Sequence, residues 1–423
     1  MNRKTPSFGK ADILLPDFSK VDGTKWAVVA CDQYTSEPAY WESAAKTVGD
    51  APSTLSMILP EVYLGEAQTR IGRINEAMRE TEKSDLVTYP DAMIYLERTQ
   101  SDGAVRRGII GVVDLECYDY RRGSDTLIRA TEGTVLERIP PRVAIRRDAP
   151  LEFPHIMMLI DDPERTVIEP LIDRCADKQP LYDFDLMLDG GHVRGYLLDG
   201  NEQTRIDNAL ADLITPDHIK ARYGDANLTP LLFAVGDGNH SLATAKACYE
   251  EIKGQIGVEA ASTHPARFAL AEIVNLHDDA LIFEPIYRVV FGVDPQALLK
   301  EFLGYVGALD GNAAEQKLLW VTQNEESTVT VPHPTQQLTV GTLQAFLFDY
   351  CERHPEAVVD YIHGEDSLRS LLDRPDAIGF LFDGMRKDEL FRSVIYDGAL
   401  PRKTFSMGHA QDKRYYLEGR KIK

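Results

Sequence analysis

The sequence lacks the long apolar runs that membrane-spanning helices require. No stretch approaches about 18 uninterrupted apolar residues, so we expect no transmembrane helix. Residues 1–8 also lack the apolar region of a signal peptide. Cysteine is scarce, because the five cysteines are scattered and include no Cys-x-x-Cys pair. This usage predicts free thiols in a reducing cytoplasm.

Positive charge is in short supply. The chain has 46 lysines and arginines against 67 aspartates and glutamates, a formal net charge of −21. General binding to nucleic acid needs a basic surface that displaces counterions, so this balance argues against it. The chain also lacks the Walker A, Gly-x-Gly-x-x-Gly, His-Glu-x-x-His and Gly-x-Ser-x-Gly motifs. We expect a small-molecule substrate, and an anionic ligand would need a local basic pocket.

Turn signals and apolar segments indicate the fold class. Ser101-Asp102-Gly103 and Gly190-Gly191 each lie between strand-like segments and predict hairpins. Helices are predicted after Pro38, over residues 71–82 and over residues 205–213. The regular alternation of strand and helix that marks a parallel α/β sheet is absent. The pattern therefore predicts an α+β fold with mixed sheets, hairpins and intervening helices.

Length bounds the number of domains. At about 150 residues per domain, the chain predicts two or three domains or one large domain with insertions. We predict a main α+β domain over residues 1–300 and a smaller α/β subdomain over residues 301–400. Residues 401–423 include seven lysines and arginines against two acids. We predict that this basic segment returns to the main domain.

The most informative stretch covers residues 233–246. An apolar run stops at Gly236-Asp237-Gly238-Asn239-His240-Ser241, and a helix-prone segment follows over residues 242–253. A strand, a tight turn and a helix start present backbone N–H groups and the positive end of a helix dipole, which favour phosphate. Asp237 and His240 add groups that can move protons or position a metal ion. The alternative is a plain turn in which Asn239 or Ser241 is an N-cap.

A second stretch, residues 129–147, contains five arginines. Pro140-Pro141 disfavours a continuous helix across it. Arginines on irregular backbone suit the recognition of phosphate or carboxylate. Glu132, set among small residues, could serve as a general base. The alternative is a solvated loop whose surface ion pairs contribute little.

Three shorter segments have open interpretations. Asp32-Gln33-Tyr34 follows a strand predicted over Trp26–Cys31, and strand ends often carry sites, although an ordinary turn is the alternative. Arg402 and Lys403 could hold an anion or belong to a basic tail. His277-Asp278-Asp279 could bind a divalent cation or form an acidic turn.

The chain resembles the bacterial and archaeal domain of unknown function 1015 family over nearly its full length. The segments that carry the resemblance are Ile94–Thr99, Arg106–Gly111, Ile128–Arg142, Pro154–Asp162, Gly236–Ala245, Pro401–Gly408 and Lys413–Glu418. Many members carry Asp-Gly-His-His-Arg where this chain has residues 237–241. That signature is similar to the phosphate-binding turn of the ParB/sulfiredoxin-like superfamily, which includes free-serine kinases, CTP-binding partition proteins and ATP-dependent sulfiredoxins.

The resemblance implies a ParB/sulfiredoxin-like core that holds the phosphates of a nucleotide, here ATP or ADP, at the start of the helix after the motif. It makes Asp237, Gly238 and His240 site residues. We expect Mg²⁺ to accompany the nucleotide, with Asp237 helping to place it. Asn239 and Ser241 depart from the signature, and the loss of the arginine removes a bidentate phosphate donor. The candidates to supply that charge are Arg138, Arg142 and Arg402, with Lys403 beside the last. By analogy with the serine kinases, Glu132 would take the proton of the acceptor hydroxyl.

These observations predict a nucleotide-dependent phosphotransferase that acts on a small hydroxylated metabolite. The turn containing Gly236, Gly238, Asn239 and Ser241 would hold the phosphates, and Glu132 or His240 would be the base. Two alternatives stay open. The chain could bind a nucleotide or metabolite without chemistry, or it could be a phosphohydrolase that uses the same turn.

Overall fold

The structure, a computed structural model, describes residues 7–133 and 139–423. The chain divides into two compact units. The first unit comprises residues 1–130, 134–281 and 409–423, and the second comprises residues 131–133 and 282–408. The predicted α+β class is confirmed, because helices accompany sheets in both units and the larger sheet mixes parallel and antiparallel strands.

The first unit contains one large sheet and several two-stranded ladders. Its strands are β1 (Phe8–Gly9), β2 (Ala11–Pro16), β3 (Val28–Val29), β4 (Leu86–Ala92), β5 (Ile94–Thr99), β6 (Val105–Asp114), β7 (Tyr118–Asp119), β8 (Ile128–Ala130), β9 (Leu151–Glu152), β10 (Met157–Ile160), β11 (Tyr182–Asp185), β12 (His192–Leu197), β13 (Phe233–Asp237) and β14 (Phe268–Asn275), followed by β21 (Tyr415–Tyr416) and β22 (Arg420–Lys421) near the C-terminus.

Helices cover this sheet and connect its strands. They are α1 (Gly23–Trp26), α2 (Pro38–Val48), α3 (Ala67–Ser84), α4 (Ile139–Arg147), α5 (Leu171–Cys175), α6 (Gly200–Asp212), α7 (Pro216–Tyr223), α8 (Asn239–Ile256) and α9 (Val258–Ala261). Within residues 7–133 and 139–423, no helix combines the length and apolar character needed to cross a membrane.

The large sheet is covered on both faces. Its order is β11-β12-β5-β6-β14-β10-β13-β8-β7, and β1 pairs with β6. Ile109 and Ile110, neighbours in β6, belong to two different hydrophobic cores, as expected when alternate side chains point to opposite faces. The central strands β10 and β13 are therefore almost continuously apolar. The C-terminal end of β13 lies between β10 and β8, in the interior of the sheet.

The second unit has its own antiparallel sheet. Its elements are β15 (Phe283–Phe291), α10 (Pro295–Gly307), β16 (Gln316–Val321), β17 (Glu326–Val331), α11 (Thr339–Arg353), β18 (Val358–His363), α12 (Glu365–Ser370), β19 (Ala377–Phe382), α13 (Lys387–Asp397) and β20 (Phe405–Met407). The strand order is β17-β16-β19-β15-β18, with β20 beside β15.

Both predicted hairpins are confirmed. The turn at residues 101–103 joins β5 to β6, and Gly190-Gly191 joins β11 to β12. Gly191 has φ +76°, and a Cβ atom there would lie 2.2 Å from the carbonyl oxygen of Thr99. The turn therefore requires glycine for both its backbone conformation and its close approach to β5.

Two local predictions were wrong. Trp26 ends helix α1, whose first turn is capped by Asp22, and only Val28–Val29 of the predicted segment forms a β-strand. The buried Trp26 indole donates a hydrogen bond to the carbonyl of Leu417, so a distant segment decides this conformation. The irregular backbone expected for the arginine-rich stretch is wrong for its second half, where α4 covers Ile139–Arg147, although the stretch begins in strand β8 and so is not one continuous helix. Pro140-Pro141 lies in the first turn described for α4, where a missing N–H costs no intrahelical bond.

Residues 409–423 belong to the first unit and enter its interior. β21 pairs with β3, and β22 pairs with β9. Arg414 Nη1 donates to the fully buried Glu272 at 2.8 Å, and Arg414 also pairs with Glu418. These buried ion pairs hold the segment that carries Lys413 and Tyr416, two residues of the candidate site.

Candidate functional site

The turn after β13 has the predicted strand–turn–helix geometry. β13 ends at Asp237, Gly238 adopts the left-handed conformation (φ +77°, ψ +27°), and α8 begins at Asn239. A Cβ atom on Gly238 would lie 3.0 Å from Ile156 Cα. Gly238 is the N-cap and no side chain caps the helix, so the interpretation of Asn239 or Ser241 as an N-cap is wrong.

This helix start is suited to an anion. The first turn of an 18-residue helix directs N–H groups and the positive end of the helix dipole toward a ligand. Oδ1 of the buried Asn239 has no hydrogen-bond partner among the residues that the structure describes. Lys413 Nζ lies 3.4 Å from Asp237 Oδ2, and its side chain is largely buried. A cation therefore stands beside the turn although the signature arginine is absent.

A buried histidine faces the same turn. His155 Nε2 lies 3.4 Å from Ser241 Oγ and 3.4 Å from Asp32 Oδ2. His155 Nδ1 lies 2.7 Å from the Tyr416 hydroxyl, which also accepts the Cys31 N–H at 3.1 Å. We call Asp32, His155, Ser241 and Tyr416 the His155 cluster. It brings together residues from four separate parts of the chain.

Asp32 and His155 shift each other's titration. Burial lowers the pKa of His155, but the negative charge of Asp32 and its hydrogen bond outweigh burial and raise the pKa above 6.5. Burial raises the pKa of Asp32, but protonated His155 more than offsets this and holds it well below 3.8. The Asp32 side chain is 30% exposed, so it stays accessible to solvent and ligands. Because its pKa is raised, His155 keeps a proton to a higher pH than a free histidine does, and the pair can accept and release that proton.

The loop that carries Asp32 has a strained backbone. Tyr34 adopts φ +52°, a conformation that side chains disfavour, and its ring stacks on Tyr40 at a centroid distance of 3.7 Å. The Gln33 amide donates to Asp32 Oδ1 at 3.0 Å. These contacts hold Asp32 against His155.

A cavity of about 150 Å³ adjoins the His155 cluster. Its lining includes His155, Ser241 and Tyr416, together with apolar side chains that precede and follow α4 or lie on it. The cluster is therefore not sealed within the core. A ligand at the start of α8 can extend into this cavity.

The described residues among the predicted site residues divide between the two units. The turn itself contains Gly236, Asp237, Gly238, Asn239, His240 and Ser241. Arg142 lies on α4, where it forms an ion pair with Glu61 and lines the cavity. Arg138 lies outside the described residues. The second unit contains Glu132, Arg402 and Lys403. In that unit Glu132 forms a β-bridge with Leu400, and the carbonyls of residues 402 and 403 accept hydrogen bonds from Arg288.

Sequence reasoning missed His155, Lys413 and Tyr416, and it considered Asp32 only as a strand-end residue. A signal existed, because His155 lies in the segment Pro154–Asp162 and the other two lie in Lys413–Glu418, both of which carry the family resemblance. Nothing local marks them as partners. Tyr416 reaches His155 only because β21 pairs with β3.

The two predicted metal sites, at Asp237 and at His277-Asp278-Asp279, differ in whether their side chains are suited to a cation. No group of three or more metal-binding side chains occurs in the part of the chain that the structure describes. Mg²⁺ is often held by one or two carboxylates together with substrate phosphates, and Asp237 fits as one such ligand. At His277-Asp278-Asp279, Asp279 pairs with Arg165 at 2.6 Å and His277 bonds to Asp161 at 2.7 Å. These contacts explain that acidic turn without a metal.

Gly238→Ala tests whether the left-handed turn is required. We expect the free energy of unfolding to fall by about 1–3 kcal/mol, because alanine is strained at φ +77° and its Cβ would crowd Ile156. The control is Gly254→Ala within α8, where nothing lies within 4 Å of the added atom. That change should stabilise the protein by about 0.5–1 kcal/mol. If urea denaturation gave the same change in the free energy of unfolding for both variants, a requirement for glycine at position 238 would be contradicted.

Comparison with known proteins gives a family and distant structural likenesses. A conserved hypothetical protein from Pyrococcus furiosus has 10% identity and a TM-score of 0.33 over 71% of this chain and 90% of its own. A free serine kinase in complex with AMP has 9% identity and a TM-score of 0.36 over 74% and 90%. SbnI from Staphylococcus aureus, truncated at its C-terminus, has 10% identity and a TM-score of 0.33 over 71% and 82%.

Likeness at this level assigns no activity to the chain. None of the curated proteins compared with it matches. The sequence profile described as "Protein of unknown function (DUF1015)" matches residues 17–358, which is most of the chain. The resemblance expected from the sequence motifs is thereby confirmed at the level of the family. This protein is a member of the DUF1015 family.

Proposed function

We propose that the first unit is a nucleotide-dependent phosphotransferase that phosphorylates a hydroxyl group of a small metabolite. The observation that carries the proposal is the position of His155, whose Nε2 lies 3.4 Å from Ser241 in the first turn of α8. An acid–base pair thus adjoins an anion-binding helix start. Phosphoryl transfer depends mainly on positioning and charge stabilisation, and these two features supply both.

In the proposed reaction, the turn at residues 236–241 holds the phosphates of ATP or ADP. His155 Nε2 takes the proton of the acceptor hydroxyl. The acceptor oxygen then bonds to the terminal phosphorus, and the bond from phosphorus to the bridging oxygen breaks with its electron pair on the departing nucleotide. Asp32 stabilises the protonated imidazole. The Tyr416 hydroxyl can accept Nδ1–H, which leaves Nε2 as the proton acceptor.

The missing arginine of the signature has a candidate replacement in Lys413. Its ammonium group lies 3.4 Å from Asp237 and would contact a phosphate at the helix start. Mg²⁺, when bound beside Asp237, would neutralise further phosphate charge. The roles predicted for Glu132, His240, Arg138, Arg142, Arg402 and Lys403 stay predictions.

A thermal-shift titration with ADP, with and without Mg²⁺, tests nucleotide binding. A ligand that binds only the folded state stabilises it by about 2.7 kcal/mol at 100 times its Kd, so Tm should rise with ADP concentration. Lys413→Gln should weaken ADP binding about tenfold, since a charge-assisted hydrogen bond contributes about 1.5–3 kcal/mol. Lys220→Gln, on the exposed side of α7, is the matched control and should bind ADP like the wild type.

Three results would contradict parts of the proposal. Absence of any shift with ADP or ATP would rule out nucleotide binding at the turn. Saturable binding without turnover would favour a non-catalytic nucleotide-binding or metabolite-binding protein. Transfer of phosphate to water in preference to every alcohol offered would identify a phosphohydrolase.

A further inference from the structure

The cavity beside the His155 cluster has a polar end and an apolar body. His155, Ser241 and Tyr416 line the polar end. The body is lined mainly by aliphatic and aromatic side chains, namely Met57, Ile58, Leu64, Met78, Ile145 and Phe153. A molecule that occupies this cavity therefore presents a polar group to His155 and buries hydrocarbon behind it.

The charged side chains in the wall bind one another. Arg142 pairs with Glu61, and Arg146 pairs with Glu152 at 2.5 Å. Glu152 also accepts from Arg420 at 3.0 Å. A nucleobase buried in the cavity would desolvate its ring nitrogens and amino group against groups already engaged, which is unfavourable. A hydrocarbon group carries no such penalty, and its burial is favourable.

The size of the cavity limits its occupant. Apolar cavities of about 150 Å³ accommodate one benzene-sized molecule. We propose that the cavity binds the carbon skeleton of the acceptor, an alcohol whose hydroxyl is carried on a single ring or a branched chain of about six carbon atoms. The acceptor is therefore an apolar alcohol and not a small polar amino acid. The role of its hydroxyl as phosphoryl acceptor rests on the proposed function, but the apolar occupant does not.

Binding of benzyl alcohol to the full chain tests this inference. Isothermal titration calorimetry should detect a single site in the wild type, with L-serine unable to compete. Ala149→Leu extends a larger side chain into the cavity and should weaken binding at least about tenfold, because a few carbon atoms discriminate at this level in an apolar pocket. Ala144→Leu makes the same change on α4 at a half-buried position that does not line the cavity, and it should bind like the wild type.

A cavity-enlarging variant gives a second measurement that does not rely on lost binding. Ile58 is half-buried and lines the cavity, so Ile58→Ala makes space there. We expect this variant to bind 2-naphthylmethanol more tightly than the wild type does, because the added space accommodates the second ring. Failure to bind it more tightly, with benzyl alcohol binding equal in wild type and Ala149→Leu, would overturn the inference.

Adenosine and ADP complete the experiment. Displacement of benzyl alcohol by adenosine, with adenosine binding lost in Ala149→Leu, would overturn the inference by identifying a nucleobase pocket. ADP is titrated separately on the same proteins. Benzyl alcohol binding without ADP binding would contradict the proposed function and support the cavity assignment. ADP binding without benzyl alcohol binding would contradict only the cavity assignment.

Discussion

His155→Gln should slow phosphoryl transfer to the acceptor alcohol by about 10²–10⁴-fold, with ADP affinity close to that of the wild type. Glutamine keeps much of the size and hydrogen-bonding capacity of histidine but cannot take up a proton. The turn at Gly238 and the cation of Lys413 are untouched, so the groups proposed to hold the phosphates remain. The measurement is kcat and KM for both substrates, with ADP binding determined by calorimetry.

The pH dependence separates a catalytic role from a structural one. Since His155 must be unprotonated to act as a base and its pKa is raised, kcat/KM should increase as pH rises through a value above 6.5. Asp32→Asn removes the charge that raises this pKa. The ascending limb of the plot of kcat/KM against pH should therefore move to lower pH. A purely structural effect of Asp32→Asn would reduce activity without moving the limb.

The control for His155→Gln is His218→Gln on α7. His218 is half-buried in the first unit and lies outside the His155 cluster. We expect its variant to keep wild-type activity and Tm. If His155→Gln retains full turnover while ADP binding is intact, His155 is not the base.

Glu272→Gln should lower the free energy of unfolding by about 3–5 kcal/mol, because it leaves buried arginine charge without its partner. Glu272 is fully buried. Its carboxylate accepts from Arg414 at 2.8 Å, and Arg106 Nε lies 3.5 Å away. Urea denaturation monitored by tryptophan fluorescence measures the loss, since Trp26 and Trp41 are buried in the same unit.

The same variant has a predicted dependence on pH. Burial raises the pKa of Glu272, but the charges of Arg106 and Arg414 outweigh burial and lower it below 4.5. The contribution of this charge to stability is therefore complete above pH 4.5 and is lost as pH falls through the folded-state pKa. The difference in free energy of unfolding between the wild type and Glu272→Gln should therefore become smaller as pH falls through that pKa.

Glu251→Gln is the matched control for the buried pair. Glu251 pairs with Arg147 at 3.0 Å, but both side chains are exposed, so the same change should leave stability unaltered within error. Equal losses in the two variants would show that burial does not determine the effect. Glu272→Gln should also reduce activity. Glu272 holds Arg414, which adjoins Lys413 in the chain and precedes Tyr416 by two residues, so loss of the ion pair should displace both site residues.

Local sequence signals were sufficient where the structure depends on neighbouring residues. The apolar run before Gly236, the glycine at 238 and the helix-prone segment after it determine β13, the turn and the start of α8. The two hairpin turns and the α+β class follow from similar short-range patterns. Several short segments along the chain, including residues 236–245, likewise indicated the family, which the match over residues 17–358 confirms.

Tertiary structure decided which residues surround that turn. Asp32, His155, Lys413 and Tyr416 meet because β21 pairs with β3 and because buried ion pairs hold residues 409–423 in the core. Such contacts depend on pairing and packing between segments hundreds of residues apart, which no local pattern encodes. The sequence by itself therefore determined the strand, the turn and the helix start, and only the folded chain determined that the buried pair of Asp32 and His155 lies beside that turn.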